Sequence, residues 1–247
     1  MSGLLARAGL HRTEGMPVAT LHWHAGPAHA GVVVLVLHGG AVEGRQRNRP
    51  WSHNVARLVP FARAFARMPG DAAVARLTFR HRGWNGPEQD PVVDARWALA
   101  QVRATHPGVP IVLVGHSMGG RVALHLADEP DVRLVVGLSA WIEDGDPVPS
   151  GTSRIALLHG DRDILCPLWM ARGLVEQLGA DRHPAALVRI ARADHAMLVR
   201  ARLWTVIAVG TVQAALAAEL GVPYEPPAGP VGAAVTVAAL GEGVVDV

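Results

Sequence analysis

Apolar residues along this chain gather in short continuous runs, and between the runs they recur at helical spacing. The runs are Val32 to Leu37, Ala73 to Phe79, Ile111 to Val114, Val132 to Ser139, Arg154 to His159 and Ala186 to Ile190. Runs that are continuous, not alternating, suit strands covered on both faces, as in a parallel sheet. Residues 54–68 have an amphipathic pattern that stops before Pro69-Gly70, and residues 94–106 have one that stops before Pro107-Gly108. Residues 168–179 and 201–220 read as later helices. Residues 17–24 read as an early strand, joined through Ala25-Gly26-Pro27 to the run at 31–38 in an opening hairpin. Strand and helix alternate, which implies an α/β fold with a mostly parallel central sheet, helices on both faces and right-handed crossovers.

A chain of 247 residues suits one such domain, burying about seven-tenths of its unfolded surface. The pattern closes near residue 220. Residues 221–247, with Pro223, Pro226, Pro227 and Pro230 among small residues, read as a flexible or surface-wrapped tail. Half the residues are hydrophobic, yet the longest apolar stretches are strand-length, short of the roughly 20 residues of a membrane span. The start, MSGLLARAGLHRTEG, lacks the apolar core of a signal peptide, so a cytoplasmic setting is expected. Cys166 is the only cysteine, which excludes an intramolecular disulfide. All 23 basic residues are arginine, spread along the chain at a net charge of +2, a pattern that gives no support to a nucleic-acid partner.

The chemistry centres on Gly115-His116-Ser117-Met118-Gly119-Gly120, between the run at 111–114 and the helical pattern that follows. Strand, sharp turn and helix with serine at the apex is the layout of a nucleophile elbow. Serine on so tight a turn takes strained backbone angles, and glycine two residues to either side removes the collisions. The turn also sets the Met118 N–H at a helix N-terminus, aimed where an oxyanion would form. Further on, one strand ends in Gly160-Asp161-Arg162-Asp163-Ile164-Leu165-Cys166-Pro167 and another in Ala193-Asp194-His195-Ala196-Met197-Leu198.

In this order, GHSMGG, GDRDILCP and ADHAML resemble the elbow, acid loop and histidine loop of the α/β-hydrolase family, over residues 17–220. The resemblance implies a three-layer fold and the triad Ser117, Asp163 and His195. Each type has its reason. A serine hydroxyl is a poor nucleophile until a base, here His195, takes its proton. A carboxylate on the far ring nitrogen fixes the tautomer and stabilises the imidazolium. Asp163 matches the family's G-x-x-D spacing from Gly160, whereas Asp161 reads as a turn residue and Asp194, adjacent to His195, as a loop residue. His38-Gly39-Gly40-Ala41 resembles the family's oxyanion loop, which makes Gly40 the second donor beside Met118, with Ala41 as the alternative.

Four other features are weaker. His22 and His24 would share one strand face, but no third metal ligand is near, and no metal or other cofactor is expected. Cys166 reads as packing. The loop Arg80 to Gly86, with Asp90, lies at the mouth and reads as a surface turn without assigned chemistry, with a role in holding the oxyanion loop as the alternative. Residues 140–153, where many relatives insert a helical lid, are too few to form one, so no large cap domain is expected and Trp141 sits on a rim. The expected activity is hydrolysis of a small-molecule carboxylic ester or thioester through an acyl-enzyme. The alternatives are a peptidase, a lysophospholipid hydrolase, or a binding protein of the same fold without turnover.

Overall fold

The computed structural model describes residues 18–26, 29–221 and 223–247, apart from the side chains of residues 219 and 220. The expectations for residues 1–17 and for Pro27 in the first turn lie outside the described residues. The chain runs β1 (Thr20–Ala25), β2 (Val32–Leu37), α1 (His53–Ala56), α2 (Val59–Phe65), β3 (Ala72–Thr78), α3 (Asp90–Thr105), β4 (Ile111–His116), α4 (Met118–His125) and β5 (Val132–Leu138). It continues with β6 (Arg154–Gly160), α5 (Leu168–Ala180), β7 (Ala185–Ile190), α6 (Ala201–Leu220), α7 (Pro230–Leu240) and β8 (Glu242–Asp246).

The strands form one sheet in the order β1-β3-β2-β4-β5-β6-β7-β8, parallel except for β1. Every residue of β2 is buried, and the two-residue period of a strand sorts them into two layers. Val33, Leu35 and Leu37 join the layer under α3, α4 and α5, while Val32, Val34 and Val36 join the layer under α2, α6 and α7. Each such side chain contributes about 1.5–3 kcal/mol on burial. The result is the expected three-layer arrangement, and residues 140–153 hold no helix or strand.

Four expectations need correction. First, β1 and β2 do not form a hairpin: β1 pairs antiparallel with β3, as Thr20 opposite Thr78, and β3 lies between them. A parallel β2–β3 pair reached by right-handed crossover takes the slot beside β2 and leaves β1 the outer edge. Second, the helix at 54–68 is two pieces. Pro60 cannot donate to the carbonyl of Ala56, so the helix breaks there and restarts as α2 with proline in its first turn.

Third, the tail is folded onto the sheet. Pro230 starts α7, Gly241 at φ 74° ends it, and Ala234, Val235, Ala238 and Ala239 are buried. Residues 242–246 then add β8 to β7, with Arg189 paired to Asp246 at 2.8 Å. Fourth, α6 is long and apolar enough to cross a membrane by length and composition, with mean hydropathy 1.4 over Ala201–Ala218. In this fold it is a core helix, with Trp204, Ile207, Ala208 and Val212 buried against the sheet and α7.

Candidate active site

Parallel strands bring the ends of β2, β4, β6 and β7 to one edge of the sheet, and the loops there carry the residues singled out by sequence. Ser117 connects β4 to α4 at φ 52°, ψ −119°, a conformation that costs energy for any residue with a Cβ. Its N–H donates to the Leu138 carbonyl at 3.1 Å, and its own carbonyl accepts from the Trp141 N–H at 3.0 Å. A Cβ on Gly115 would strike the Gly119 carbonyl, and one on Gly119 would strike that of Leu37. The turn therefore demands both glycines.

Asp163 and His195 come together from loops 32 residues apart, with His195 Nδ1 2.8 Å from Asp163 Oδ2. The other carboxylate oxygen accepts from the N–H groups of Leu165 at 3.0 Å and Cys166 at 2.9 Å. Burial alone would raise the Asp163 carboxyl, but the His195 bond, the Cys166 N–H and the His195 charge outweigh it and hold the group below the usual carboxylate range. Asp161 instead accepts from the Arg192 N–H at 2.6 Å, and Asp194 accepts from the N–H groups of Leu198 and Val199, each at 3.2 Å. Both are turn residues, as expected. Burial and the Asp163 charge push the Cys166 thiol up to about 12, a value that keeps it protonated and inert.

Gly40 backs onto Met118, since a Cβ there would overlap the methionine side chain and the Arg82 carbonyl. The Ala41 N–H is already given to the Arg82 carbonyl at 2.9 Å, which removes it as a free donor, whereas the Gly40 N–H goes to no carbonyl among the described residues. The loop is set by His38, whose Nε2 accepts from the Phe79 N–H at 3.1 Å, so that Nδ1 bears the proton and donates to the Gly39 carbonyl at 2.6 Å. Burial lowers His38 to about 4, so it stays neutral.

Three supports hold these residues in place, and two of them, His116 and Arg121, were not legible in the sequence. His116 donates through Nε2 to the His195 carbonyl at 2.9 Å, and burial together with the nearby His195 lowers it to about 3. The loop at 80–86 takes the alternative reading and laces the loop after β2: Trp84 N–H to the Ala41 carbonyl, Asn85 N–H to that of Val42 and Gly83 N–H to that of Gly44, at 2.9–3.0 Å. Asp90 anchors that loop through Arg80 at 2.8 Å and through His81 and Asn85 at 2.7 Å. Finally, the Arg121 guanidinium lies 4.0 Å from the Trp84 ring centre and 4.5 Å from that of Trp141, and pairs with Asp146 at 2.7 Å. This pins the rim loop where a lid would otherwise insert. Burial pushes the Asp146 carboxyl up, but the bonds from His125 and Arg121 prevail and hold it low. His22 and His24 meet edge to face at 5.1 Å, His24 accepts from Arg76 at 2.6 Å, and no metal-binding cluster occurs among the described residues.

Known proteins share this fold. A putative alpha/beta hydrolase from Agrobacterium tumefaciens superposes with a TM-score of 0.62 at 19% identity, over 83% of this chain and 94% of its own. A serine hydrolase without lid from Xanthomonas campestris gives 0.55 at 20%, over 84% and 90%, and a thermophilic esterase from Thermogutta terrifontis gives 0.61 at 19%, over 82% and 88%. Among curated proteins, the magnesium-chelatase 30 kDa subunit of Rhodobacter capsulatus is 31% identical over 163 residues, 64% of this chain and about half (49%) of that protein. The sequence model of the alpha/beta hydrolase family matches residues 33–241, nearly the whole described sheet. On that match and this sheet order, the chain belongs to the alpha/beta hydrolase family.

Proposed function

We propose that the protein is a serine hydrolase that cleaves a carboxylic ester or thioester through an acyl-enzyme, with Ser117, His195 and Asp163 as its triad. The observation that carries this reading is the 2.8 Å pairing of His195 with a buried, charge-retaining Asp163 beside a serine held in a strained turn. A fold that only bound ligands would have no use for that combination. With Nδ1–H given to Asp163, His195 Nε2 is the lone-pair nitrogen that takes the Ser117 proton as Oγ attacks the carbonyl carbon. The negative oxygen of the tetrahedral intermediate meets the N–H groups of Met118 and Gly40. Collapse breaks the ester bond, and His195 returns the proton to the departing alcohol or thiol. Water then repeats the sequence on the acyl-serine. No step calls for a metal or other cofactor.

An apolar acyl group fits the surroundings. Ile164, Leu165 and Leu198 are exposed on the acid and histidine loops. A soluble, cytoplasmic setting belongs to the same reading, with Cys166 buried and unpaired. Fluorophosphonate labelling tests it, because only an activated serine reacts. Labelling of the wild type and its loss in Ser117→Ala, together with a loss of ester turnover of about 10⁴-fold or more, are expected. A wild type that resists labelling would overturn the proposal.

A further inference from the structure

A cavity of about 650 Å³ opens between the chain after β2 and the loop after β3. Its size is that of an ordinary small-molecule site. Arg47, Arg49, Arg82, His53, Asn54 and Trp51 line it, and none of its lining residues carries a carboxylate. The nearby Arg45 pairs with Glu88 at 3.1 Å, but Arg47, Arg49 and Arg82 form no ion pair with any described carboxylate. Arg47, Arg49 and Arg82 are exposed residues that line one hollow with no carboxylate among its lining, so the hollow carries positive charge that suits an anion.

The backbone that carries them is built. Asn48, buried, donates through Nδ2 to the carbonyls of Phe79 at 2.9 Å and His81 at 2.7 Å, the Arg82 N–H donates to Gln46 at 3.1 Å, and Arg47 bridges His81. The same strip is continuous with the oxyanion loop through the Ala41–Arg82 hydrogen bond. Trp51 is 72% exposed with the Arg49 guanidinium 5.7 Å from its ring centre, leaving an open aromatic face beside the charges. Guanidinium forks recognise phosphate oxygens, and an open indole face stacks on a planar base.

We propose that this cavity binds a nucleoside diphosphate group carried by the substrate's leaving group, with Arg47, Arg49 and Arg82 on the phosphates and Trp51 on the base. The link to a leaving group rests on the hydrolase reading above, whereas the anion site stands on its own residues.

Titration calorimetry on Ser117→Ala, which removes turnover, separates the two. ADP should bind, adenosine should not at the same concentration, and Arg47→Ala with Arg49→Ala should weaken ADP by about tenfold or more. Trp51→Ala should weaken ADP and leave pyrophosphate unchanged. Absence of ADP binding at about 5 mM, equal binding of adenosine, or an unchanged affinity in the double arginine variant would overturn the site. Kinetics on the otherwise wild-type chain then tests the link. The double arginine variant should raise KM for a thioester whose thiol carries a nucleotide, and leave the same acyl group on p-nitrophenol unaffected. An unchanged KM would overturn the leaving-group assignment. ADP binding in a protein that fluorophosphonate does not label would retain the anion site and refute the hydrolase.

Discussion

Replacing Asp163 by asparagine changes one atom, and the structure specifies what that atom does. Oδ1 of Asp163 accepts from two fixed N–H donors, those of Leu165 and Cys166, while Oδ2 accepts from His195. Asparagine has one oxygen and one NH₂, and the oxygen must face the two backbone donors, because an NH₂ there would set donor against donor. The NH₂ therefore faces His195 Nδ1 and donates to it. That fixes the imidazole with its proton on Nε2, the nitrogen that has to accept from Ser117. The expected loss is about 10⁴-fold in kcat, or ~5.5 kcal/mol of transition-state stabilisation, with the fold kept. Asp161→Asn is the control, since its oxygen still accepts from Arg192, and it should keep near-normal turnover. The assay is hydrolysis of a short p-nitrophenyl ester, with folding of each variant verified by circular dichroism. Asp163→Asn retaining a tenth of wild-type turnover, or Asp161→Asn losing it, would refute the assignment.

Gly40→Ala drives a Cβ into Met118 and the Arg82 carbonyl, and displacing one oxyanion donor should lower kcat about 10²–10³-fold while KM changes little; steady-state kinetics read this, and a kcat within threefold (about 0.6 kcal/mol) would count against Gly40. A thiol reagent at one equivalent should leave turnover intact, because Cys166 is buried and pushed up to about 12; rapid inactivation would contradict that. His38 and the more exposed His24 at about 4 and His116 at about 3 lie below the ordinary 6.5 of histidine, and burial lowers His159 as well. The unfolded chain thus takes up protons that the fold refuses, and stability present above pH 6.5 is lost as pH falls toward those values. Asp94, raised to about 6 by burial, works in the opposite sense between pH 6 and 4 and offsets part of this. Urea midpoints should show a net loss on the order of 2 kcal/mol between pH 7 and 5, and a flat or rising profile would disprove this account.

Much of the site could be read in the chain because its requirements are local. The collision that demands Gly115 arises inside the turn, where its Cβ would meet Gly119, and G-x-x-D places Asp163 on the turn that ends β6, whereas the collision that demands Gly119 comes from Leu37 on the neighbouring strand. The supports of the site could not be read so. His116 grips a carbonyl 79 residues away, and Trp84 and Trp141 enclose Arg121 from two separate loops. Single histidines, tryptophans and arginines have no spacing that marks such partners.

The same division runs through the fold. The alternation of strand and helix along the sequence determined that the sheet would be mostly parallel with helices on both faces, since each crossover helix must pack back onto the sheet. The turn at Ser117 was legible in the sequence as well, with Gly115 required by a conflict inside six residues and Gly119 by the approach of Leu37. Which strand lies beside which was decided only in the tertiary structure. β1 goes to β3, and residues 230–246 leave the role of a loose tail to become α7 and β8. Strand edges and apolar faces are satisfied by whichever partner the assembled sheet leaves open, and that choice depends on all the other elements at once.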